Sequence, residues 1–263
     1  MRCSASMHEH ASNGPQGAFW FTSSRRVSLI AAFLFGLALA SASVAHAQEE
    51  DAVEDRYQTW LALFAHGPLY QELWLWVDVQ PRFFEGFEPA AALVRPGLSW
   101  HAMAPLWLSA GYAWTPSWRQ PPEPRSWGQL LFTDEHRIWE QALLVLTHEP
   151  SGIAGQIRVR AEQRFRSGDV GFRLRVFLRL SVPLVQDRSL YFVLWDEFFT
   201  PLNDTSWGQR AGFDQNRVFV GLGWQAVPGM LRLEFGAASQ WIVREGRDTA
   251  NTIGAINAFV TWR

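Results

Sequence analysis

Apolar and polar residues alternate with a period of two along most of this chain, and this pattern constrains its fold more than any other feature. In the segment Gln156 to Phe165, Ile157 and Val159 fall on one face, while Arg158 and Arg160 fall on the other. Successive side chains of a β-strand point to opposite sides, so the pattern predicts strands and not helices. Turn residues interrupt it roughly every ten to fifteen positions. The sequence therefore predicts an all-β protein built from antiparallel strands.

Strand length and tryptophan content favour a transmembrane barrel over a soluble sandwich, in which strands also alternate. The predicted strands reach about ten residues, close to the 9–11 of a tilted membrane strand and longer than those of most globular sheets. The chain has 15 Trp. Aromatic residues near the predicted strand ends suggest the interfacial girdles of a membrane barrel. They are Trp60, Trp100, Tyr112, Trp114, Tyr191, Trp224, Trp241 and Trp262.

The pattern itself delimits eleven strands. They cover residues 57–65, 72–83, 90–100, 105–115, 135–148, 155–165, 171–183, 189–199, 214–225, 230–243 and 251–262. Longer connections fall at 84–89, 116–134, 200–213 and 244–250 and are expected to lie at one end of the barrel. Because eleven strands alternate in direction, the first and the last run in the same direction. Bacterial barrels have even strand numbers, which predicts about twelve strands, with a hidden one near 48–56, or ten as the alternative.

The first 47 residues resemble a secretory leader. Arg25 and Arg26 precede an apolar run from Val27 to Ala40, and Ala45-His46-Ala47 offers a cleavage site. The run is too short to span a bilayer as a helix, which needs about 20 residues. We therefore expect a signal peptide over 1–47, a single β-barrel domain over 48–263, and export to the outer membrane of a Gram-negative cell.

The exported part contains 20 Arg, no Lys and 24 acidic residues, and the chain's single cysteine, Cys3, lies in the leader. This balance does not favour a nucleic-acid partner. It also predicts a domain without disulfides. Every fixed cation is an arginine, whose planar guanidinium stays charged.

Charged residues on the polar face of the strands are expected to line the lumen, because an arginine at mid-depth in lipid costs roughly 2–4 kcal/mol. One interpretation is a network of ion pairs that plugs a narrow barrel. The other is an anion-leaning channel, since arginine rings can select anions. Six arginines on two neighbouring strands form the patch expected to hold an anion: Arg158, Arg160, Arg164, Arg173, Arg175 and Arg179. The whole lumen set adds Arg82, Arg95, Arg137, Arg217, Arg232, Asp78, Glu135, Glu162, Glu197, Asp214 and Glu234.

An enzyme is not predicted, although a lipid hydrolase on the barrel wall is an alternative because such sites use Ser and His. The candidates would be His136 and His148, with Ser109, Ser181 and Ser239. None lies in a distinctive nucleophile motif, and His136 is interpreted as a polar lumen or rim residue. His66 and His101 are placed in turns and do not suggest a zinc site. Asn203-Asp204-Thr205 is interpreted as turn chemistry, not as a calcium loop. No metal or other cofactor is expected.

Seven short segments together resemble the bacterial family catalogued as domain of unknown function 2490, over essentially the whole exported part. They are Gln58-Thr59-Trp60, Gln80-Pro81-Arg82-Phe83, Arg95-Pro96-Gly97, Gly111-Tyr112-Ala113-Trp114, Asp134-Glu135-His136-Arg137, Glu162-Gln163-Arg164-Phe165 and Phe213-Asp214-Gln215-Asn216-Arg217. The resemblance implies an outer-membrane-type barrel with no established activity and no functional residues to carry over.

The sequence thus predicts a monomeric outer-membrane barrel that acts as a structural protein or as a narrow passive channel. Its expected partners are membrane lipid and, for a channel, small anions. The alternatives are the lipid hydrolase and a secreted periplasmic β-sandwich or lipocalin-like binding protein, which would be soluble without detergent.

Overall fold

The computed structural model describes residues 54–119, 131–149, 151–244 and 248–262. The predicted leader, residues 1–47, lies outside the described residues, as does the hidden strand expected near 48–56 for all but its last three positions. Within the described ranges, no helix has the length and apolar character needed to cross a membrane.

The described chain is a single sheet of fifteen strand segments with one 3-10 turn, Glu85–Phe87. The segments are β1 (Glu54–Tyr70), β2 (Leu73–Val79), β3 (Arg82–Phe84), β4 (Pro89–Ala91), β5 (Val94–Met103), β6 (Leu106–Trp114), β7 (Ser117–Arg119), β8 (Leu131–Thr133), β9 (His136–His148), β10 (Ile153–Arg166), β11 (Asp169–Pro183), β12 (Leu190–Pro201), β13 (Gln215–Val227), β14 (Leu231–Ile242) and β15 (Thr249–Thr261).

These segments make eleven wall strands, because the four shortest continue longer neighbours past a kink. β3 continues β2, β4 leads into β5, β7 continues β6, and β8 leads into β9. Pro81 and Pro116, which cannot donate a ladder hydrogen bond, mark two of the kinks. Backbone bonds bridge the interruptions: the amide of Gln80 donates to the carbonyl of Leu93 at 2.8 Å, and that of Leu93 donates back at 3.1 Å. The wall is therefore continuous from β1 to β15.

The barrel closes through a parallel pair, which corrects the predicted strand number. β1 and β15 run side by side in register from Glu54 opposite Thr249 to His66 opposite Thr261, and each other neighbouring pair is antiparallel. The prediction of twelve strands, or ten, rested on the rule that antiparallel closure requires an even number. A parallel seam removes that requirement, so no partner strand before β1 is needed. The eleven strands delimited by the alternation are the eleven that the structure contains.

The parallel seam puts the two ends of the wall chain at opposite ends of the barrel. β1 begins at the end that also carries the Glu85–Phe87 turn and the long connection 202–214, and we call this the vestibule end. β15 finishes at the other end, which carries the β1–β2, β5–β6 and β13–β14 hairpins, and we call this the hairpin end.

Strand register divides the side chains into an outward and an inward face. Opposite pairs such as Arg160 with Arg175 and Phe177 with Glu197 place the charged positions inside, and the intervening residues, such as Val159, outside. The predicted aromatic girdle is wrong at two positions. Trp60 and Tyr191 face inward: Trp60 packs against a buried lumen cluster that includes Tyr191. Trp74, Trp76, Trp107, Trp139 and Trp195 also lie on inward strand positions.

Glycines on the inward face make room for large rings. A Cβ added at Gly236 would meet the Cα of Gly221 at 2.7 Å and the ring of Phe219 at 2.7 Å. A Cβ at Gly97 would meet the ring of Trp139. Phe219 and Trp139 are fully buried, so these rings fill the lumen at places where a nearby strand has no side chain.

Candidate functional site

Two buried glutamates organise the middle of the lumen. Glu162 accepts hydrogen bonds from Arg173 at 2.5 Å and from Arg175 at 2.6 Å. Glu197 accepts from Arg175 at 2.6 Å and from Arg158 at 2.7 Å. Arg175 thus bridges the two carboxylates. Buried charges are tolerated when each is paired and hydrogen-bonded, as here.

Three further ion pairs extend this network along the barrel. Towards the hairpin end, Arg179 forms a two-pronged contact with Glu234, which also accepts from the hydroxyl of Tyr191 at 3.0 Å. On β2 and β5, Arg95 pairs with Asp78 at 2.6 Å, and both are buried. The Arg95–Asp78 pair joins two adjacent strands, whereas Arg179 and Glu234 are 55 residues apart in the chain.

The third pair sits towards the vestibule end. Arg164 contacts both oxygens of Glu135, at 2.8 and 2.9 Å, and donates to Gln209 at 2.8 Å. Arg137 donates to the same carboxylate at 2.5 Å. Gln209 belongs to the 202–214 connection, so this contact ties the loop down onto the lumen network.

Arg160 is a fully buried arginine that is held by neutral groups. It donates twice to the side-chain oxygen of Gln141, at 3.0 and 2.5 Å, and lies over the ring of Trp139 with 4.7 Å to the ring centroid. Its Nη1 has no hydrogen-bond partner among the described residues. Trp139 and Arg160 both have zero exposure, so this layer of the lumen is closed to solvent.

Between this closed layer and the vestibule end lies a cavity of about 1080 Å³, which we call the vestibule. Its wall includes the rim residues Arg56, Glu85, Gly208 and Arg244, so it opens at the end of the barrel. Ten arginines line it: Arg56, Arg82, Arg95, Arg137, Arg164, Arg166, Arg173, Arg175, Arg217 and Arg244. The lining contains three carboxylates, those of Glu85, Glu88 and Asp214.

Arg82 and Arg217 lie against one aromatic ring in the vestibule. Their guanidinium carbons are 4.0 and 5.0 Å from the ring centroid of Trp60. Arg82 donates to Gln80 at 3.4 Å, and its buried Nε has no hydrogen-bond partner in the described part of the chain. The nearest carboxylate contact recorded for Arg217, with Glu197, is 3.9 Å long, and the amide oxygens of Gln215 and Gln240 can accept from it instead. Among the vestibule arginines whose partners are given above, these two are therefore the least neutralised.

Comparison with known proteins identifies the family. The model of the family described as "Protein of unknown function (DUF2490)" matches residues 57–251. The chain belongs to the DUF2490 family. A protein of Methylorubrum extorquens described as uncharacterised is 36% identical over 167 residues, which are 62% of this chain and 69% of the relative. No solved structure matches the chain significantly.

Six of the seven segments that carry the resemblance to DUF2490 contribute to the vestibule of this barrel. Their lining residues include Trp60, Arg82, Arg95, Arg164 and Arg217. The seventh segment, Gly111 to Trp114, lies on β6 beside Trp139 and leaves space for that ring. Short segments scattered along a DUF2490 sequence thus converge on one end of one lumen.

The lumen residues predicted from this DUF2490 sequence occupy inward strand positions or the rim. Arg232 lies at the hairpin end, 3.4 Å from Glu234, and its side chain is 38% exposed. Asp214 lies at the vestibule rim and pairs with Arg244 at 2.6 Å. In the patch of six arginines expected to hold an anion, five are engaged by carboxylates and Arg160 by Gln141.

Sequence reasoning missed the neutral partners of the network. Gln141, Gln209 and Tyr191 each bind a charged lumen side chain. The inward position of Gln141 could have been found from the alternation of its strand. Gln209 could not, because it lies in an irregular connection outside any periodic segment.

The histidine and serine residues weighed for a hydrolase are dispersed. His136 faces outward near the vestibule end, not into the lumen, and contacts the hydroxyl of Tyr112 and, at 3.1 Å, Asp134. Ser109 lies inside, 2.8 Å from Ser99, and Ser181 accepts from Arg179 at 3.3 Å. The imidazole of His148 contacts the hydroxyl of Ser151 at 2.8 Å in the exposed β9–β10 turn, where Ser151 also bonds the backbone.

Two smaller expectations concern metal ligands and turns. His66 and His101 lie in strands, not in turns, and pack against the ring of Trp107. Within the described residues, no group of three or more His, Cys, Asp or Glu could hold a metal ion. In the 202–214 connection, Asp204 accepts from the amide of Ala211 at 2.8 Å and Thr205 from that of Gln209 at 3.0 Å. These bonds are turn chemistry.

Proposed function

We propose that this protein is an exported outer-membrane β-barrel whose lumen is closed by its own side chains, so that its role is structural and not that of a diffusion channel. The single observation that carries the membrane assignment is the exposed apolar surface of the outward face. The closed lumen follows from the buried network and the rings packed around it.

Large apolar side chains lie exposed around the whole barrel. They occupy outward positions on eight of the eleven wall strands, and each is between 39 and 48% exposed: Leu63, Leu98, Leu108, Ile138, Val159, Val220, Phe235 and Ile256. Soluble monomers seldom expose continuous apolar patches larger than a few hundred Å². Lipid would cover this belt, and a closed barrel leaves no unpaired strand edge in the hydrocarbon region.

Aromatic side chains at both ends of the belt support the same assignment. Trp100 and Trp224 face outward near the hairpin end and are about half exposed. Tyr112 and Trp114 face outward near the vestibule end. Tryptophan and tyrosine at the two edges of an apolar band are typical of membrane barrels, where their rings lie at headgroup level.

Two outward carboxylates accept hydrogen bonds from neighbouring amides, which lowers the cost of placing them near lipid. Gln163 donates to Glu140 at 3.1 Å, four to five residues from the vestibule end of their strands. Asn216 donates to the buried Asp196 at 2.6 Å. In each pair an amide nitrogen donates to a carboxylate oxygen.

A closed lumen favours a structural role over passage. Arg160, Trp139, Phe219, Val193 and Ile253 are all fully buried inside the barrel, which supports a lumen filled by side chains. Membrane lipid is then the main partner, and the encircling belt requires no second copy of the chain to cover it.

Cell-envelope fractionation followed by gel electrophoresis of heated and unheated samples tests the location and the closure together. We expect the protein in the outer-membrane fraction, with a mobility that changes on boiling. Recovery as a soluble protein without detergent would overturn the membrane assignment and favour the secreted binding protein.

Planar-bilayer recording tests whether the lumen conducts. We expect the purified wild-type barrel to be silent. Anion-favouring steps that disappear in the double variant Arg160→Ala with Arg175→Ala would establish a channel instead. Release of fatty acid from vesicles, abolished by His136→Ala, would favour the hydrolase.

A further inference from the structure

We propose that the vestibule is a binding site for a soluble, multiply charged phosphate-bearing anion. This inference concerns the cavity alone, so it holds whether or not lipid surrounds the outer wall. The vestibule would then be a binding pocket that opens at one end of the barrel and ends at the middle of the lumen.

The first support is an excess of positive charge. Besides the three carboxylates of the lining, four lie behind it and neutralise some of its ten arginines: Asp78, Glu135, Glu162 and Glu197. In the described part of this site, arginines therefore outnumber carboxylates. Low-dielectric walls concentrate such a field and attract anions into the cleft.

The second support is the position of the least neutralised cations. Arg82 and Arg217 share the ring of Trp60, and both line the cavity. The buried Nε of Arg82 has no hydrogen-bond partner in the described part of the chain. A donor of this kind costs free energy when it is left unbonded, and an anion in the vestibule would relieve that cost.

The third support is the match between these groups and phosphate. A guanidinium presents a planar fork of donors that fits phosphate or carboxylate oxygens in two-pronged fashion. A phosphate spreads its charge over several oxygens, so one group can be held by more than one arginine. Trp118, Trp207 and Phe84 add apolar wall for an organic portion, and a volume of about 1080 Å³ is at the upper end of small-molecule sites.

The shape of the site favours a soluble ligand over a lipid headgroup. The vestibule opens at the rim of the barrel, through residues such as Glu85 and Arg244. The acyl chains of a lipid would have to leave the apolar belt and cross that rim for the headgroup to enter. Below the vestibule, Trp139 and Arg160 close the lumen, so a bound anion is held and not passed on.

Titration calorimetry of the detergent-solubilised full-length protein with inorganic pyrophosphate tests the proposal. We expect saturable one-site binding to wild type. The double variant Arg82→Gln with Arg217→Gln should bind roughly tenfold or more weakly, because it loses charge-assisted hydrogen bonds to the anion. The matched control is Arg232→Gln, an inward arginine at the hairpin end, which should bind like wild type.

Two further measurements keep the outcomes distinct. Heat-dependent gel mobility verifies that each variant is folded, and pyrophosphate should raise the thermal midpoint of wild type but not of the double variant. Competition with phosphatidic acid in mixed micelles separates the two sources of phosphate, and we expect it to leave pyrophosphate binding unchanged. Absence of pyrophosphate binding to wild type, or equal weakening in Arg232→Gln, would overturn the site, and binding of phosphatidic acid alone would overturn the soluble ligand.

Discussion

Two walls of the same barrel fill the lumen in opposite ways. The inward face of β10 and β11 carries seven arginines, whereas the inward face of β13 and β14 carries two, together with Gly221, Gly223 and Gly236. Arg179 reaches from β11 across to Glu234 on β14. The space left by the three glycines is taken by the rings of Phe219 and Tyr191. One wall thus fills the interior with arginine side chains, and the other with aromatic rings packed over glycines.

The difference teaches that arginine here is a packing residue as well as a charge. Its stem and planar head cover aromatic rings, as Arg175 and Arg217 do on Phe199. The carboxylates that neutralise these heads come mostly from other strands, which fastens the walls together. The following changes test the two walls from the largest expected effect to the smallest.

Removing the central carboxylate should disrupt the charged wall most. Glu162→Gln leaves Arg173 and Arg175 buried beside a neutral group, and loss of one partner from a buried pair costs about 3–5 kcal/mol. Urea unfolding in detergent, followed by tryptophan fluorescence, would measure the fall in the free energy of unfolding. Glu140→Gln makes the same change on the outward face, where the carboxylate is exposed and bonded to Gln163, and should cost less than about 0.5 kcal/mol. Equal losses would show that the buried network does not hold the walls together.

The two walls differ inside but share an apolar outward face, and a charge placed there should reveal the surrounding medium. Leu222→Arg, on the outward face of β13, should lower the free energy of unfolding by roughly 2–4 kcal/mol in a barrel refolded into lipid vesicles, if the residue lies at mid-depth. An arginine near the membrane interface would cost only about 0–1 kcal/mol. Leu184→Arg, in the exposed β11–β12 connection, is the matched control. A Leu222→Arg protein as stable as the control would mean that water, not lipid, surrounds the wall.

The glycine wall should be sensitive to a single added methyl group. Gly236→Ala places a Cβ against the carbonyl oxygen of Val220 and the Cα of Gly221, and overpacking of this kind costs about 1–3 kcal/mol. The same substitution at Gly254, on neighbouring β15, meets nothing within 4 Å. We expect Gly254→Ala to unfold at the wild-type urea concentration and Gly236→Ala at a lower one. An unchanged urea midpoint for Gly236→Ala would show that the adjacent strands β13 and β14 can shift to accommodate the methyl group.

The smallest effect is expected where an ion pair lies in solvent, outside both walls. Arg188 donates to Glu149 at the hairpin end and lowers the pKa of that exposed carboxyl. A lowered folded-state pKa means that the pair stabilises the barrel above the ordinary pKa of glutamate and loses this contribution as the pH falls through the lowered value. Solvent screening keeps the contribution small. Unfolding midpoints of Glu149→Gln and wild type should therefore coincide at acidic pH, and a large gap at neutral pH would contradict this account.

Strand positions were predictable because the alternation is local. The predicted strand 155–165 corresponds to Ile153–Arg166 and 171–183 to Asp169–Pro183, since each side chain reports its own face. The strand number was wrong because it was decided by an evenness rule and not by the pattern. Nothing local to Tyr57 or Ile253 indicates that their strands meet in parallel, since that contact joins the two ends of the wall chain.

The candidate site was predictable in kind but not in position. The alternation assigns Arg82 and Arg217 to the same face as Arg160 and Arg175, and it cannot rank them. Their difference depends on which carboxylates lie nearby, and Glu197 approaches Arg175 closely but Arg217 only at 3.9 Å.

The sequence by itself determined an all-β chain with one oily and one ionic side to each strand, because a strand's two-residue repeat is written in neighbouring residues. The tertiary structure alone decided that β1 lies parallel to β15, which glycines make room for rings of the same or a nearby strand, and which arginines remain under-neutralised at the vestibule. Those outcomes depend on distances between side chains far apart in the chain, and such distances exist only once the sheet has closed.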